Sequence, residues 1–262
     1  MHERFKNFSV GMDVRLATLG GKAQIEALKD WEKTDNQLPS ILHSYFYLDN
    51  FLKMKDEFRY RDWVMDSGAF SAFNSGKKIE LARYIDVCHN LMSEDKTLVE
   101  IYSLDVIGDH GQSLKNCEEL WRNGIPAIPC YHVGEPWDVL TSIAKDYPKI
   151  AIGGSVGLSP NARMAWCRQV FARVYPCRVH GFGIGGGNQI LSLPWHSVDA
   201  TSWCLQPQAF GQWKMFGGSF PARGKLNIRS QVEWYLRLER IASARWAKQL
   251  DEISQTKNER SS

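Results

Sequence analysis

The feature that most constrains this chain is a rhythm of eight short apolar runs, each closing on a polar residue or a glycine. They occupy residues 14–18, 41–48, 63–65, 99–104, 125–131, 150–152, 178–182 and 197–198. Amphipathic segments fall between most of them, at 23–31, 80–91, 112–123, 137–145 and 161–174. Strands separated by helix-length crossovers pair in parallel, and eight such units predict a (β/α)8 TIM-type barrel in a single domain. A doubly wound open sheet is the alternative. It needs G-x-G-x-x-G after the first strand, and Gly20-Gly21 does not supply it. A ninth run, 212–216, reads as an excursion before a final helix at 229–250 that would cover the eighth strand. The domain is expected to span 1–250, with a basic helical region from about 214 and a polar tail at 251–262, frayed from residue 253.

With 262 residues and 44% hydrophobic content, the chain can bury a core without a disulfide or metal staple. Its six cysteines are scattered with no C-x-x-C pair, which excludes a zinc ribbon or a dithiol redox motif. Met1-His2-Glu3-Arg4 opens no apolar signal core, and no run is long enough to span a membrane. The expected location is the cytoplasm, or a host's cytoplasm for a phage-encoded protein. Net charge is only +3, yet the stretch 214–248 carries eight basic residues against two acidic ones. Such a stretch suits a phosphate backbone, with Arg223, Lys225 and Arg229 as contacts, and equally suits a solvated helix face.

The chemistry sits at the residue that closes each run. Asp66, Asp105, His132, Gly153-Gly154, Gly183 and Asp199 all lie at expected C-terminal strand ends. A barrel gathers those ends on one rim, where active sites are built. Two carboxylates there can divide glycosyl transfer: one attacks the anomeric carbon while the other handles the proton of the leaving and incoming groups. This needs no metal and no cofactor. The glycines would let a flat ring lie against bare backbone. Plainer readings stand beside these. Asp66-Ser67-Gly68 can be a cap and turn, Asp109 a helix cap, His132 a structural histidine, and Gly185-Gly186-Gly187 a loop without a phosphate role. Trp195, Trp203 and Trp213 read mostly as core.

Taken together, the motifs resemble a known family. Asp66-Ser67-Gly68-Ala69-Phe70-Ser71 is similar to the Asp-Ser-Gly-Gly-Phe-Gln motif of tRNA-guanine transglycosylases, and Leu104-Asp105 to their base-reading aspartate strand. Ile152-Gly153-Gly154-Ser155-Val156-Gly157 resembles their Gly-Gly-Leu-x-Val-Gly loop, and Gly181-Phe182-Gly183 their Gly-Val-Gly strand. Asp199 stands where they keep a nucleophile. The shorter branch associated with phage and 7-deazaguanine DNA modification resembles the chain more closely, through the Leu-Asp-Val-Ile-Gly-Asp, Pro-x-x-His-x-Gly-Glu and His-Gly-Phe-Gly runs at Leu104, Pro129 and His180. The resemblance covers 14 to about 216. Ala69 and Ser71 depart from the motif, and the zinc subdomain with its C-x-C-x-x-C is missing.

The resemblance implies a DNA guanine transglycosylase that exchanges guanine for a 7-deazaguanine through a covalent intermediate. Asp199 is the implied nucleophile and Asp66 the general acid/base. Ser67, Gly68, Asp105, His132, Gly153, Gly154, Ser155 and Gly183 would line the base site. The implied partners are DNA, whose target guanine must leave the stack, and the free 7-deazaguanine base. The alternatives are exchange on tRNA, a barrel glycoside hydrolase, and a non-catalytic nucleic-acid-binding protein. The oligomeric state is open.

Overall fold

The computed structural model describes residues 11–17, 21–32, 37–204, 212–215, 218–221 and 228–255. Eight parallel strands form one curled sheet: β1 (Asp13–Ala17), β2 (Ser40–Ser44), β3 (Asp62–Asp66), β4 (Leu98–Ile101), β5 (Cys130–His132), β6 (Lys149–Gly153), β7 (Arg178–Gly181) and β8 (Ser197–Ala200). They run in the order β4-β3-β2-β1-β8-β7-β6-β5. The outer strands meet through a parallel bridge between Tyr102 and Ile128, where the Ser103 N–H donates to the Ile128 carbonyl at 2.8 Å. The sheet thereby curls round to a barrel, as the eight-unit rhythm requires.

The helices are α1 (Lys22–Glu32), α2 (Leu48–Met54), α3 (Ala69–Asn74), α4 (Leu81–Glu94), α5 (His110–Arg122), α6 (Trp137–Asp146), α7 (Pro160–Val174), α8 (Gly187–Ile190), α9 (Ile228–Arg245) and α10 (Ala247–Gln255). No helix among the described residues is long and apolar enough to cross a membrane. Strand side chains alternate between two apolar clusters, as a period of two demands. Val14, Leu16, Ile41, Trp63, Met65, Ile150, Ile152, Val179 and Val198 belong to the cluster packed under the helices. Ala17, Leu42, Val64, Tyr102, Ile128 and Ala151 form a second cluster inside the barrel.

Below that inner cluster lies a charged floor. Glu100 receives Lys149 at 2.7 Å and Arg15 at 3.0 Å, while Arg61 bridges Asp13 at 2.8 Å and Glu239 at 2.9 Å. Each buried charge there has a partner of opposite sign, the condition under which buried ions are tolerated.

Several expected boundaries shift for identifiable reasons. The second strand stops at Ser44 rather than residue 48. The Ser44 hydroxyl accepts from the Phe46 N–H and starts a 3-10 turn at Tyr45–Tyr47, overriding the β-preference of that aromatic triplet. The fifth strand keeps only Cys130 and Tyr131 of the expected 125–131 and runs on to His132, because Pro126 and Pro129 offer no N–H to a ladder. The ninth run is β9 (Gln212–Met215), hairpinned to β10 (Gly218–Pro221) outside the barrel sheet. The single final helix is two, α9 and α10. The first packs on α1 and β1, not over β8, because closure makes β1 the neighbour of β8. Residue 253, expected to fray, is buried in α10.

Candidate active site at the barrel rim

The strand-end residues do converge. Asp66 ends β3, Asp199 is the penultimate residue of β8, His132 ends β5, Gly153 ends β6, and Asp105 and Gly183 come just after β4 and β7. Asp66 takes the Gly68 N–H at 3.2 Å, and Asp199 takes the Gly183 N–H at 2.9 Å. Gly68 and Gly183 have φ of +75° and +68°, the left-handed region in which side chains are strained. A Cβ on Gly68 would also lie 2.7 Å from the Phe46 nitrogen and from the Ser44 hydroxyl. Glycine at 68 is therefore what lets the chain turn from β3 and aim Asp66 inward. Ser67 is buried beside it and accepts from the Ala69 N–H at 3.4 Å, so the cap-and-turn reading and the functional one coexist.

Neither Asp66 nor Asp199 forms an ion pair with lysine or arginine among the described residues. Burial, then the charge of Asp105, pushes Asp66 up to about 6 against the opposing Gly68 and Ser67 amides. Burial raises Asp199 to about 7; the Asp66 charge adds to this, while the Gly183 amide and Arg15 work against it. The Asp66 charge is thus felt at Asp199, although 133 positions separate the two in sequence, while the charge felt at Asp66 is that of Asp105.

The third carboxylate belongs to a different group. His132 lies between Asp105, whose Oδ2 is 3.4 Å from Nε2, and Glu135, whose Oε1 is 3.2 Å from Nδ1. The Cys130 sulfur is 3.5 Å from Nε2. Cys130, Asp105 and Glu135 all favour the charged ring and hold His132 well above its ordinary range, with burial opposing. Burial keeps Cys130 a thiol, up to about 12, so the lasting counter-charges are the two carboxylates. Beside Asp105 opens a cleft of about 470 Å³, walled by α3, residues 77–81 and the start of α5.

The glycines behave unequally. A Cβ on Gly153 would meet the Cys130 sulfur at 3.3 Å, and one on Gly154 the His132 Cβ at 3.3 Å. Those two are packed against side chains of the protein itself. Gly183 faces open space, so only there does the expectation of backbone bare enough for a flat ring hold. Ser155 is buried, with its carbonyl taken by Arg163 at 2.9 Å. The plainer reading of Asp109 is correct: it caps α5 by accepting from the Gln112 N–H at 2.9 Å. Trp195 and Trp203 are core residues. Of the expected backbone contacts, Arg223 and Lys225 lie outside the described residues, and Arg229 stacks its guanidinium over Trp31 at 5.5 Å.

Three residues were not singled out from sequence. Cys130 and Glu135 complete the His132 group. His180 joins floor to rim: Lys149 donates to the Ser197 hydroxyl at 2.9 Å, and that hydroxyl is 2.9 Å from His180 Nδ1. With the lysine donating, the hydroxyl proton is free to point at Nδ1. The ring proton then sits on Nε2, facing Asp199 Oδ1 at 3.4 Å. Burial, with Lys149 and Arg15 nearby, keeps His180 neutral. The Pro-x-x-His-x-Gly-Glu and His-Gly-Phe-Gly runs were the only sequence signals for them.

No protein-family model matches the chain, and no curated protein matches it. Solved structures do share the scaffold, which defines it as an α/β barrel of TIM type. A candidate fructose-1,6-biphosphate aldolase from Coccidioides immitis superimposes with a TM-score of 0.52 over 97% of both chains, at 10% identity. The YdjI aldolase from Escherichia coli K12 gives 0.49 over 96% of this chain and 92% of its own, at 12% identity. The Coccidioides immitis match corrects the expected activity. The superimposable fold belongs to a chain described as an aldolase, so this architecture is no mark of base exchange on DNA or tRNA, nor of sugar hydrolysis. Those readings are withdrawn. Likeness at such identity speaks for the scaffold alone.

Proposed function

We propose that the chain is an enzyme whose active site is this rim, with Asp199 and Asp66 moving protons at a small polar substrate. One observation carries the reading: Asp199, buried, and Asp66, half-buried, lack a lysine or arginine ion pair among the described residues, where the buried acids Asp13, Glu100 and Glu239 each have one. Unpaired buried carboxylates are costly, and they concentrate where function needs them. Acids near 6 and 7 can respectively release and hold a proton close to neutrality, and the titration belongs to the pair.

The substrate we propose is a flat nitrogenous ring. It would lie over the open Gly183 backbone and present its hydrogen-bonding edge to Asp105, with His132 behind that carboxylate. Kinship with the guanine transglycosylase superfamily is proposed on motif order alone and does not restore base exchange.

Carboxyl-carbon NMR of aspartate-labelled protein tests the acid–base pair. Two carboxyls should titrate near 6 and 7, one vanishing in Asp66→Asn and one in Asp199→Asn. Both titrating in the ordinary carboxylate range would end the proposal. In parallel, a panel of purine-like heterocycles should include rings that raise the thermal midpoint of the parent but not of Asp105→Asn. Equal shifts in both proteins would remove Asp105 from ligand binding.

A further inference from the structure

Asp105, Cys130 and His132 each offer one ligating atom, and these atoms lie within 4.8 Å of one another. Two of the separations are 3.5 Å, from Cys130 Sγ to His132 Nε2, and 3.4 Å, from His132 Nε2 to Asp105 Oδ2. Tetrahedral zinc, with bonds of about 2.3 Å to sulfur and about 2.0–2.2 Å to nitrogen or oxygen, holds adjacent ligands roughly 3.3–3.6 Å apart. Both observed edges are therefore those of a tetrahedral ligand shell. We infer that these three side chains form a site for a divalent transition metal of the zinc class at the barrel rim.

Two independent observations point the same way. His132 turns Nε2 toward the cluster, while Nδ1 is 3.2 Å from Glu135 Oε1, and a second Glu135 oxygen takes the His132 N–H at 3.0 Å. A carboxylate behind the far nitrogen is how metal-binding histidines are commonly oriented. The other Asp105 oxygen, Oδ1, is buried with no hydrogen-bond partner among the described residues, an acceptor left over by the protein's own contacts. The nearby glycines leave the cluster uncrowded by further side chains: Gly153 and Gly154 approach Cys130 and His132 with backbone alone.

On binding, the Cys130 thiol proton and the His132 Nε2 proton pass to solvent. This leaves thiolate, carboxylate and a neutral imidazole still bonded through Nδ1–H to Glu135. Three protein ligands leave a fourth tetrahedral position for water or a substrate oxygen, the pattern of catalytic rather than structural zinc. A mixed sulfur, nitrogen and oxygen set suits zinc or cobalt over magnesium or calcium, which prefer oxygen alone.

The test uses metal-free, tag-free protein and cobalt(II) or zinc(II) salts with no substrate present, so its outcome is independent of the acid–base proposal. One cobalt(II) should bind per chain and give a thiolate-to-metal absorption band. Cys130→Ser should lose that band while circular dichroism shows the fold intact. Glu135→Gln, which keeps all three ligands, should weaken binding about 10–100-fold. Failure to bind cobalt or zinc at one equivalent would overturn the inference. So would a thiolate band that survives Cys130→Ser, because the metal would then sit on another cysteine.

Discussion

The two ends of the barrel use the same side chains in opposite ways. At the floor, burial pushes Glu100 and Asp62 upward, yet Arg15 reverses this for both, aided by Lys149 at Glu100 and Arg61 at Asp62. Both carboxyls end below their ordinary values. At the rim, burial meets amide hydrogen bonds, with the Ser44 hydroxyl added at Asp66 and the charge of Arg15 at Asp199, and both carboxyls rise instead. Depth does not separate the two cases, because Glu100 at 4% and Asp199 at 5% are equally exposed. What separates them is cations whose attraction outweighs burial at Glu100 and Asp62; at Asp13 and Glu239 Arg61 is within 3 Å and burial still prevails. A buried acid that is paired contributes to the scaffold; one left unpaired is held at a cost in stability, and on the proposed function that cost keeps a proton-transfer group.

The sharpest way to break this contrast is at the floor. Glu100→Gln leaves Lys149 buried without its counter-charge and Arg15 with only Asp13, at 3.5 Å, and should destabilise the fold by about 3–5 kcal/mol in urea unfolding at pH 7. A loss below about 1 kcal/mol would mean that the pairing is not what holds the floor.

The rim should respond with the other sign. Asp199 has a folded pKa of about 7 against an ordinary value of 3.8. The folded state therefore binds its proton more tightly than the unfolded chain does, and stability is lost as pH rises through that window. Asp199→Asn removes the charge and still offers an oxygen to the Gly183 amide. At pH 8 it should gain up to a few kcal/mol, on the order of 1.4 per pKa unit, and the gain should fade toward pH 4. Thermal melts at the two pH values decide it; an equal effect at both would show that the carboxylate carries no burial penalty.

A smaller effect distinguishes the frame of the rim from its charges. Gly68→Ala combines a positive φ with a 2.7 Å approach to the Phe46 nitrogen and should cost about 1–3 kcal/mol. It should also displace Asp66, read as a changed carboxyl titration. An unchanged titration would show that the turn at Gly68 does not aim that side chain.

The rim was legible because strand-end residues are marked in sequence by the change from an apolar run to a polar residue. Asp66, Asp105, His132 and Asp199 stand out that way, before any coordinates. Cys130 does not, because a cysteine within an apolar run reads as a small hydrophobe, and nothing local says that Asp105 comes to its side. Glu135 and His180 sit in recognised runs without a role, since their roles depend on which atoms of His132 and Asp199 they meet. The floor was invisible for the same reason. Arg15, Glu100 and Lys149 lie on three strands, and their pairing is a consequence of barrel closure.

By itself, then, the sequence determined the alternation of strands and helices, the parallel sheet and the set of residues delivered to one rim. Those depend on local periodicity and on the short reach of each connection. Tertiary structure alone decided which charges are neutralised and which stay unpaired, which glycines face open space, and that His132 stands between two carboxylates and a thiol. Such facts depend on distances between residues remote in the chain, and the sign of an electrostatic effect is set at those distances.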